Sequence, residues 1–248
     1  MDKTNIKENE VHVRFFGALE IENQRGCIVE TLSSPSHSNV WGMLKYLLAN
    51  AGRAVSQSEL SKQALGAEEE ESGNAIRSRL NRVRKLLDPL QLGGVNGLII
   101  YYFEQYIFNP EYTIYTDADR FNLLMRQVRK LPPEDPQGLA VCAEALELFR
   151  GQFLEHTRDA EWLRTYQEAY KKEFEALAKS TLERLRIFDD DKAIDLLINR
   201  APQILPEAEE LHKAIVAYLV EKKMTIEVIK YVACLTRDGQ PEWTKALI

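Results

Sequence analysis

The stretch SGNAIRSRLNRVRKLLD, Ser72 to Asp88, carries two patterns at once. Ile76, Leu80, Val83 and Leu87 are spaced four, three and four apart, so at about 100° per residue they line up as one apolar stripe of an α-helix. Asn74, Ser78, Asn81 and Lys85 repeat that spacing on the opposite face, with Arg77 and Arg84 along one flank and Arg82 along the other. Arg79 lies toward the apolar stripe, where an acid would pair with it. Arg77, Arg79, Arg82, Arg84 and Lys85 fall within nine positions, with no acid before Asp88. The whole chain has a net charge of -6, and its glutamates crowd just upstream in AEEEES. One side of this helix is core and the other is a basic, amide-rich surface for something anionic.

Working outward from this helix gives the fold of the first half. From Val11 to about Leu32 the alternation in VHVRFFGALEIENQRGCIVETL predicts a small antiparallel sheet, with Gly17, Asn23 and Gly26 as turns. VWGMLKYLLANAG then puts Trp41, Leu44, Leu47 and Leu48 on one helical face, with Gly52 as a stop. Ser56 followed by Glu59 is a capping-box pattern that opens a short second helix in QSELSKQAL. After the basic helix, GGVNGLIIYYFEQYIFNP runs from glycines and Asn96 into β-branched and aromatic residues, as strands of a hairpin do. A sheet, three helices and a hairpin make a winged helix.

Beyond Pro110 the pattern becomes almost wholly helical. Helices are expected in DADRFNLLMRQVRKL and GLAVCAEALELFRG, from about Asp159 to Phe188, and near Lys192 to Arg200, Glu207 to Glu221 and Thr225 to Thr236. Ala193, Ile194 and Leu197 recur as Val228, Ile229 and Val232, a period of 35 residues that is close to that of tetratricopeptide repeats. The fold class is therefore an α+β winged helix-turn-helix domain followed by an all-α tetratricopeptide-like domain. The expected boundaries are 1–113 and 114–248.

Several stretches in order carry a resemblance to a known family: VRFFGALEI and LNRVRKLLD in the first half, then YTDADRFNLLMRQVRK, LELFRGQFL, EWLRTYQEAYKKEFEAL, PEAEELHKAIVAYL and GQPEWTKAL. Together they make the chain similar to bacterial transcription regulators that join an OmpR-type winged helix to a bacterial transcriptional activator domain, as in the Streptomyces antibiotic regulatory proteins. The resemblance covers nearly the whole chain. It implies a transcription regulator, an activator, that binds double-stranded DNA, with a helical domain for self-association or for contact with RNA polymerase or a signalling partner. Family operators are repeats, which implies two copies on DNA. The wing departs from the family pattern: Tyr102 stands at the basic position, Phe103 and Gln105 stand at the glycines, and Glu104 is added. An acidic wing without glycine is expected to grip the minor groove weakly. The second helix ends in Leu65 where the family has tryptophan, and Leu65 can fill that core position.

Within this frame the basic helix acquires a chemistry. Amides and guanidinium groups in the major groove read base edges, and the other basic groups neutralise phosphates. Asn74, Arg77, Ser78 and Asn81 are the candidates for reading bases, and Arg82, Arg84 and Lys85 for phosphate contact. The competing reading is a solvated basic face balanced by the nearby glutamates. Glu68, Glu69, Glu70 and Glu71 lie in the loop that can touch RNA polymerase in OmpR-type activators; alternatively they form a solvated loop that lends negative charge to the helix N-terminus. Phe15, Phe16, Trp41, Tyr101, Tyr102 and Tyr106 are read as packing residues and not as a base-stacking platform. Trp162, Tyr166, Tyr170 and Phe174, four residues apart, are likewise read as core of one helix, with a peptide or effector groove as the alternative.

Other classes find little support. The four histidines and three cysteines show no metal-ligand spacing, and no nucleophile with a base or glycine-rich phosphate loop is visible. No enzyme, metal or cofactor is expected. The polar start MDKTNIKENE and the short apolar run LIIYYF lead to the expectation of a cytoplasmic protein with no membrane association. The principal alternative is a helical protein-interaction scaffold whose winged helix no longer binds DNA.

Overall fold

The computed structural model describes residues 6–31, 35–64, 73–157 and 160–235, without the side chains of 35–38. The chain forms two compact units, one of Met1–Ala118 with Leu154–Tyr166 and one of Asp119–Phe153 with Gln167–Ile248.

In the first unit, strands β1 (Glu10–Arg14), β2 (Glu20–Asn23), β3 (Gly26–Val29) and β7 (Thr113–Thr116) form a sheet of order β3-β2-β1-β7. β1 is antiparallel to β2 and parallel to β7. Alternation sends Val11 and Val13 into the core, as the sequence pattern requires. Two side chains fix the turns. Asn23 accepts the Arg25 N–H at 2.9 Å and donates its amide to the Leu90 carbonyl at 2.8 Å. Asp117 accepts the N–H groups of Phe15 and Phe16 at 2.8 and 3.0 Å, satisfying backbone donors that leave the sheet where the chain turns at Gly17.

Helix α1 (Pro35–Ala49) buries Trp41, Leu44, Leu47 and Leu48 as expected, but Met43, Lys45 and Tyr46 are buried too, so the helix is covered on nearly every side and not on one face. β4 (Val55–Ser56) leads into α2 (Gln57–Glu59), where the Ser56 hydroxyl accepts the Glu59 N–H at 3.1 Å as an N-cap. This second helix holds only three α-helical residues before widening into a π-helical turn over Leu60–Ala64. Leu65 lies outside the described residues.

The stretch that starts at Leu154 joins this unit through polar contacts. The Leu154 N–H donates to the Phe15 carbonyl at 2.7 Å, and Lys45 donates to the Thr157 hydroxyl at 2.6 Å while pairing with Glu30 at 2.5 Å. Burial pulls the Lys45 ammonium below its ordinary range, opposed by Glu30. Further hydrogen bonds offset the cost of burying such a pair, and Thr157 supplies one to the ammonium. Trp162 packs edge-on against Tyr46 at 5.1 Å.

Among its described residues the second unit is built of helices joined by short connections: α4 (Asp117–Lys130, its first two residues in the first unit), α5 (Pro136–Leu148), α6 (Glu161–Leu185, from Gln167 onward), α7 (Asp191–Ile204), α8 (Glu209–Glu221) and α9 (Thr225–Leu235). Phe149 packs on Phe121 at 4.8 Å and on Phe174 at 4.9 Å. Of the four aromatics expected as core, only Phe174 is fully buried; Trp162, Tyr166 and Tyr170 are half-buried, Tyr170 stacking on Phe153 at 5.0 Å. Asp135 and Asp190 cap α5 and α7 through the N–H groups of Gln137 and Ala193.

Two buried polar side chains hold helix ends. The Arg184 guanidinium donates to the carbonyls of Val128 and Leu131 at 3.3 and 2.7 Å, satisfying acceptors that the end of α4 leaves open. His212 is fully buried, with Nε2 2.7 Å from the Leu205 carbonyl and Nδ1 2.6 Å from the Tyr231 hydroxyl. Burial lowers its pKa and favours the neutral ring, which donates from Nε2 and accepts the tyrosine proton at Nδ1.

The expected repeat needs one correction. α7 buries Ala193, Ile194 and Leu197, but in α9 the buried residues are Tyr231 and Leu235, and Ile229 is 65% exposed. α9 packs on both α7 and α8, and that contact selects a different face from the one the 35-residue offset marks.

Candidate nucleic-acid interface

Helix α3 (Gly73–Leu87) is the helix read from the opening stretch. Ile76, Leu80, Val83 and Leu87 are each at most 3% exposed. Each such side chain contributes about 1.5–3 kcal/mol relative to exposure, which anchors the helix from beneath. Asn74, Arg77, Ser78, Asn81, Arg82 and Lys85 are all exposed, so the structure gathers these six candidates on one open face. Arg79 is half-buried at the edge of the stripe.

Arg84 is placed differently from the other candidates. It is half-buried, and its guanidinium donates to the Ile99 carbonyl at 3.2 Å. Ile99 begins strand β5 (Ile99–Tyr102), which pairs antiparallel with β6 (Gln105–Phe108) to form the wing. β4 pairs with the other edge of β6, Val55 opposite Tyr106, so the hairpin is tied into a three-stranded sheet of order β4-β6-β5. A second link comes from Arg77, whose guanidinium carbon lies 5.9 Å from the centre of the Tyr101 ring, within cation–π range. The connection is tight as well. A Cβ at Gly93 would lie 2.5 Å from the Arg84 carbonyl oxygen, so only glycine lets the chain turn back there. Together these contacts set the wing beside the basic face of α3.

The wing departs from the sequence reading at two points. Phe15, Phe16, Trp41 and Tyr106 are buried as packing residues, but Tyr101 and Tyr102 are 38% and 59% exposed. Their strand runs on beyond the core, which ends at Leu98 and Ile99, so the period of two no longer implies a buried face. The turn residues with positive φ are Phe103 and Glu104, at +45° and +60°, and not Gln105. Sequence reasoning also missed the link from Arg84 to Ile99, because a basic residue flanking a polar helix face carries no sign of a carbonyl partner fifteen residues away.

Glu68, Glu69, Glu70 and Glu71 lie outside the described residues, as does the closing GQPEWTKAL segment. Among the described residues no three His, Cys, Asp or Glu side chains gather as a metal site, and no helix is long and apolar enough to cross a membrane.

A helix backed by core, open on a basic face and flanked by a hairpin that a carbonyl contact holds in place defines a winged helix-turn-helix. Here it is joined to an all-α tetratricopeptide-like domain. Residues 116–224 match the family described as bacterial transcriptional activator domain. Among solved structures the chain is similar to that of Mycobacterium tuberculosis EmbR in complex with low affinity phosphopeptide, with a TM-score of 0.60 and 17% identity. The match covers 96% of this chain and 63% of the EmbR chain, so the present chain spans less than two thirds of that structure. No curated protein matches the chain. At this identity the EmbR likeness establishes the fold, which agrees with the winged helix and helical domain described above.

Proposed function

We propose that the chain is a cytoplasmic, sequence-specific regulator of transcription, an activator, that binds double-stranded DNA through α3. The observation that carries this reading is the open face of α3. Asn74, Arg77, Ser78 and Asn81 are exposed together on a helix whose other side is buried, the arrangement by which a helix enters the major groove and presents donors to base edges. Arg82 and Lys85 are exposed on the same helix and contact phosphate. Arg84 acts through the wing, which it holds by the Ile99 carbonyl. The activator domain of residues 116–224 mediates self-association on repeated operators or contact with RNA polymerase, a role the glutamates at 68–71 share.

The test is selection of sites from a random double-stranded DNA pool, followed by affinity for the winner across a salt series. An enriched repeat is expected. The slope of log affinity against log salt should be steep and should shrink by about 0.9 for each phosphate contact removed, as in Arg82→Ala or Lys85→Ala. No enrichment, with binding indifferent to both substitutions, would replace this reading with that of a protein-interaction scaffold.

A further inference from the structure

The tip of the wing breaks several local rules together. Phe103 and Glu104 are the central residues of a two-residue hairpin turn, and both hold positive φ, at +45° and +60°. Such turns are ordinarily made by asparagine and glycine, and a bulky residue held in the left-handed region carries a cost in strain. Burial does not offset that cost, because Phe103 is 80% exposed and Tyr102 59%. The two rings meet edge to face at 4.3 Å and form one aromatic knob. The scaffold does not need the knob, since the hairpin is anchored by Ile99, Tyr106 and the Arg84 contact. An aromatic kept where glycine would be easier, and left in water, points to a role outside the chain.

Resting on the DNA-binding reading above, we infer that Phe103, backed by Tyr102, is an apolar wedge that enters the minor groove beside the segment read by α3 and unstacks one base step. The chemistry of the tip selects this mode over a backbone grip. No basic side chain occupies Tyr102–Gln105, and Glu104 repels phosphate, so the tip gains nothing electrostatically from the backbone. An apolar side chain inserted between bases gains stacking instead, and proteins use such wedges to kink the duplex toward the major groove. The wing is fixed to α3 by Arg84 and Arg77, so the knob arrives at a set distance from the bases that α3 reads. The step it opens is the kind that unstacks most easily, a pyrimidine–purine step such as TA or CA. The wedge therefore adds specificity at the flank of the operator without a hydrogen bond to any base.

The experiment uses the full chain and the duplex it selects, with 2-aminopurine placed in turn at each flanking step and a donor and acceptor dye at the two ends. Wild-type chain should brighten 2-aminopurine at one flanking step and shorten the distance between the dyes. Phe103→Gly suits the turn and keeps the fold, yet it should bind about tenfold more weakly and abolish both signals. Phe103→Leu should retain most of each. Binding by wild type without brightening or bending would overturn the wedge and leave the DNA-binding reading intact. Absence of any DNA binding by wild type would overturn both. If Phe103→Gly left DNA binding unchanged but abolished activation in transcription with purified polymerase, the tip would be a protein contact and the wedge would again be wrong.

Discussion

Along α3, each residue fits its place. Apolar side chains recur at helical spacing and are buried, polar and basic ones recur opposite and are exposed, and Lys85 near the C-terminus favours the helix dipole. Along the adjoining β5–β6 hairpin the residues fit only as far as Leu98, Ile99 and Tyr106. Beyond them come exposed aromatics and a turn of phenylalanine and glutamate in a conformation that neither prefers. Consistency across levels specifies a fold, and the sites that violate it are where function is to be sought. On this comparison α3 accounts for itself by the fold and is proposed to serve DNA binding as well, whereas the wing tip has only its proposed role to account for it.

The largest effect should come from the buried side of α3. Leu80→Ala removes a residue 3% exposed and should cost about 2–5 kcal/mol of stability, read as a lower urea midpoint. A loss well below that range would mean that the helix is not held by its stripe. The exposed side should behave in the opposite way. Arg82→Ala should leave stability within about 0.5 kcal/mol yet weaken binding to every duplex, and Arg77→Ala should cost about 1–3 kcal/mol of binding and relax preference at one base pair. A stability loss with unchanged binding would erase the distinction between the two faces.

The smallest effect is expected at the wing tip. In Phe103→Gly, relief of about 1–3 kcal/mol of backbone strain is partly offset by about 0.4–1 kcal/mol for glycine's greater freedom in the unfolded chain. The melting temperature should therefore hold or rise. A clear fall would show that the aromatic tip is part of the scaffold after all, and the contrast with α3 would fail.

Much of this was legible in the sequence, for reasons that particular residues make clear. The stripe of α3 and the Ser56 cap are local patterns, fixed by residues within a turn or two of one another. The contacts that complete the first unit are not local. Asp117 reaches back 102 residues to Phe15, and Thr157 lies 112 residues from Lys45. No period or spacing announces either pair, so the place of Leu154–Tyr166 in that unit could not be read from pattern. The repeat in the second unit misled for a related reason, because the buried face of α9 is chosen by α7 and α8 and not by its own apolar residues. On α3 itself, exposure separates Arg82 and Lys85 from Arg84, three groups that look alike in sequence.

The most direct test of the claim that α3 lies in the major groove, with the wing tip in the minor groove beside it, is methylation interference on the selected duplex. Methyl groups at guanine N7 block the major groove and at adenine N3 the minor groove. Interference should appear at N7 within the repeat and at N3 on its flank, with Arg77→Ala losing an N7 position and Phe103→Gly losing the N3 position. Interference at neither atom, or a pattern that both variants leave unchanged, would contradict the account.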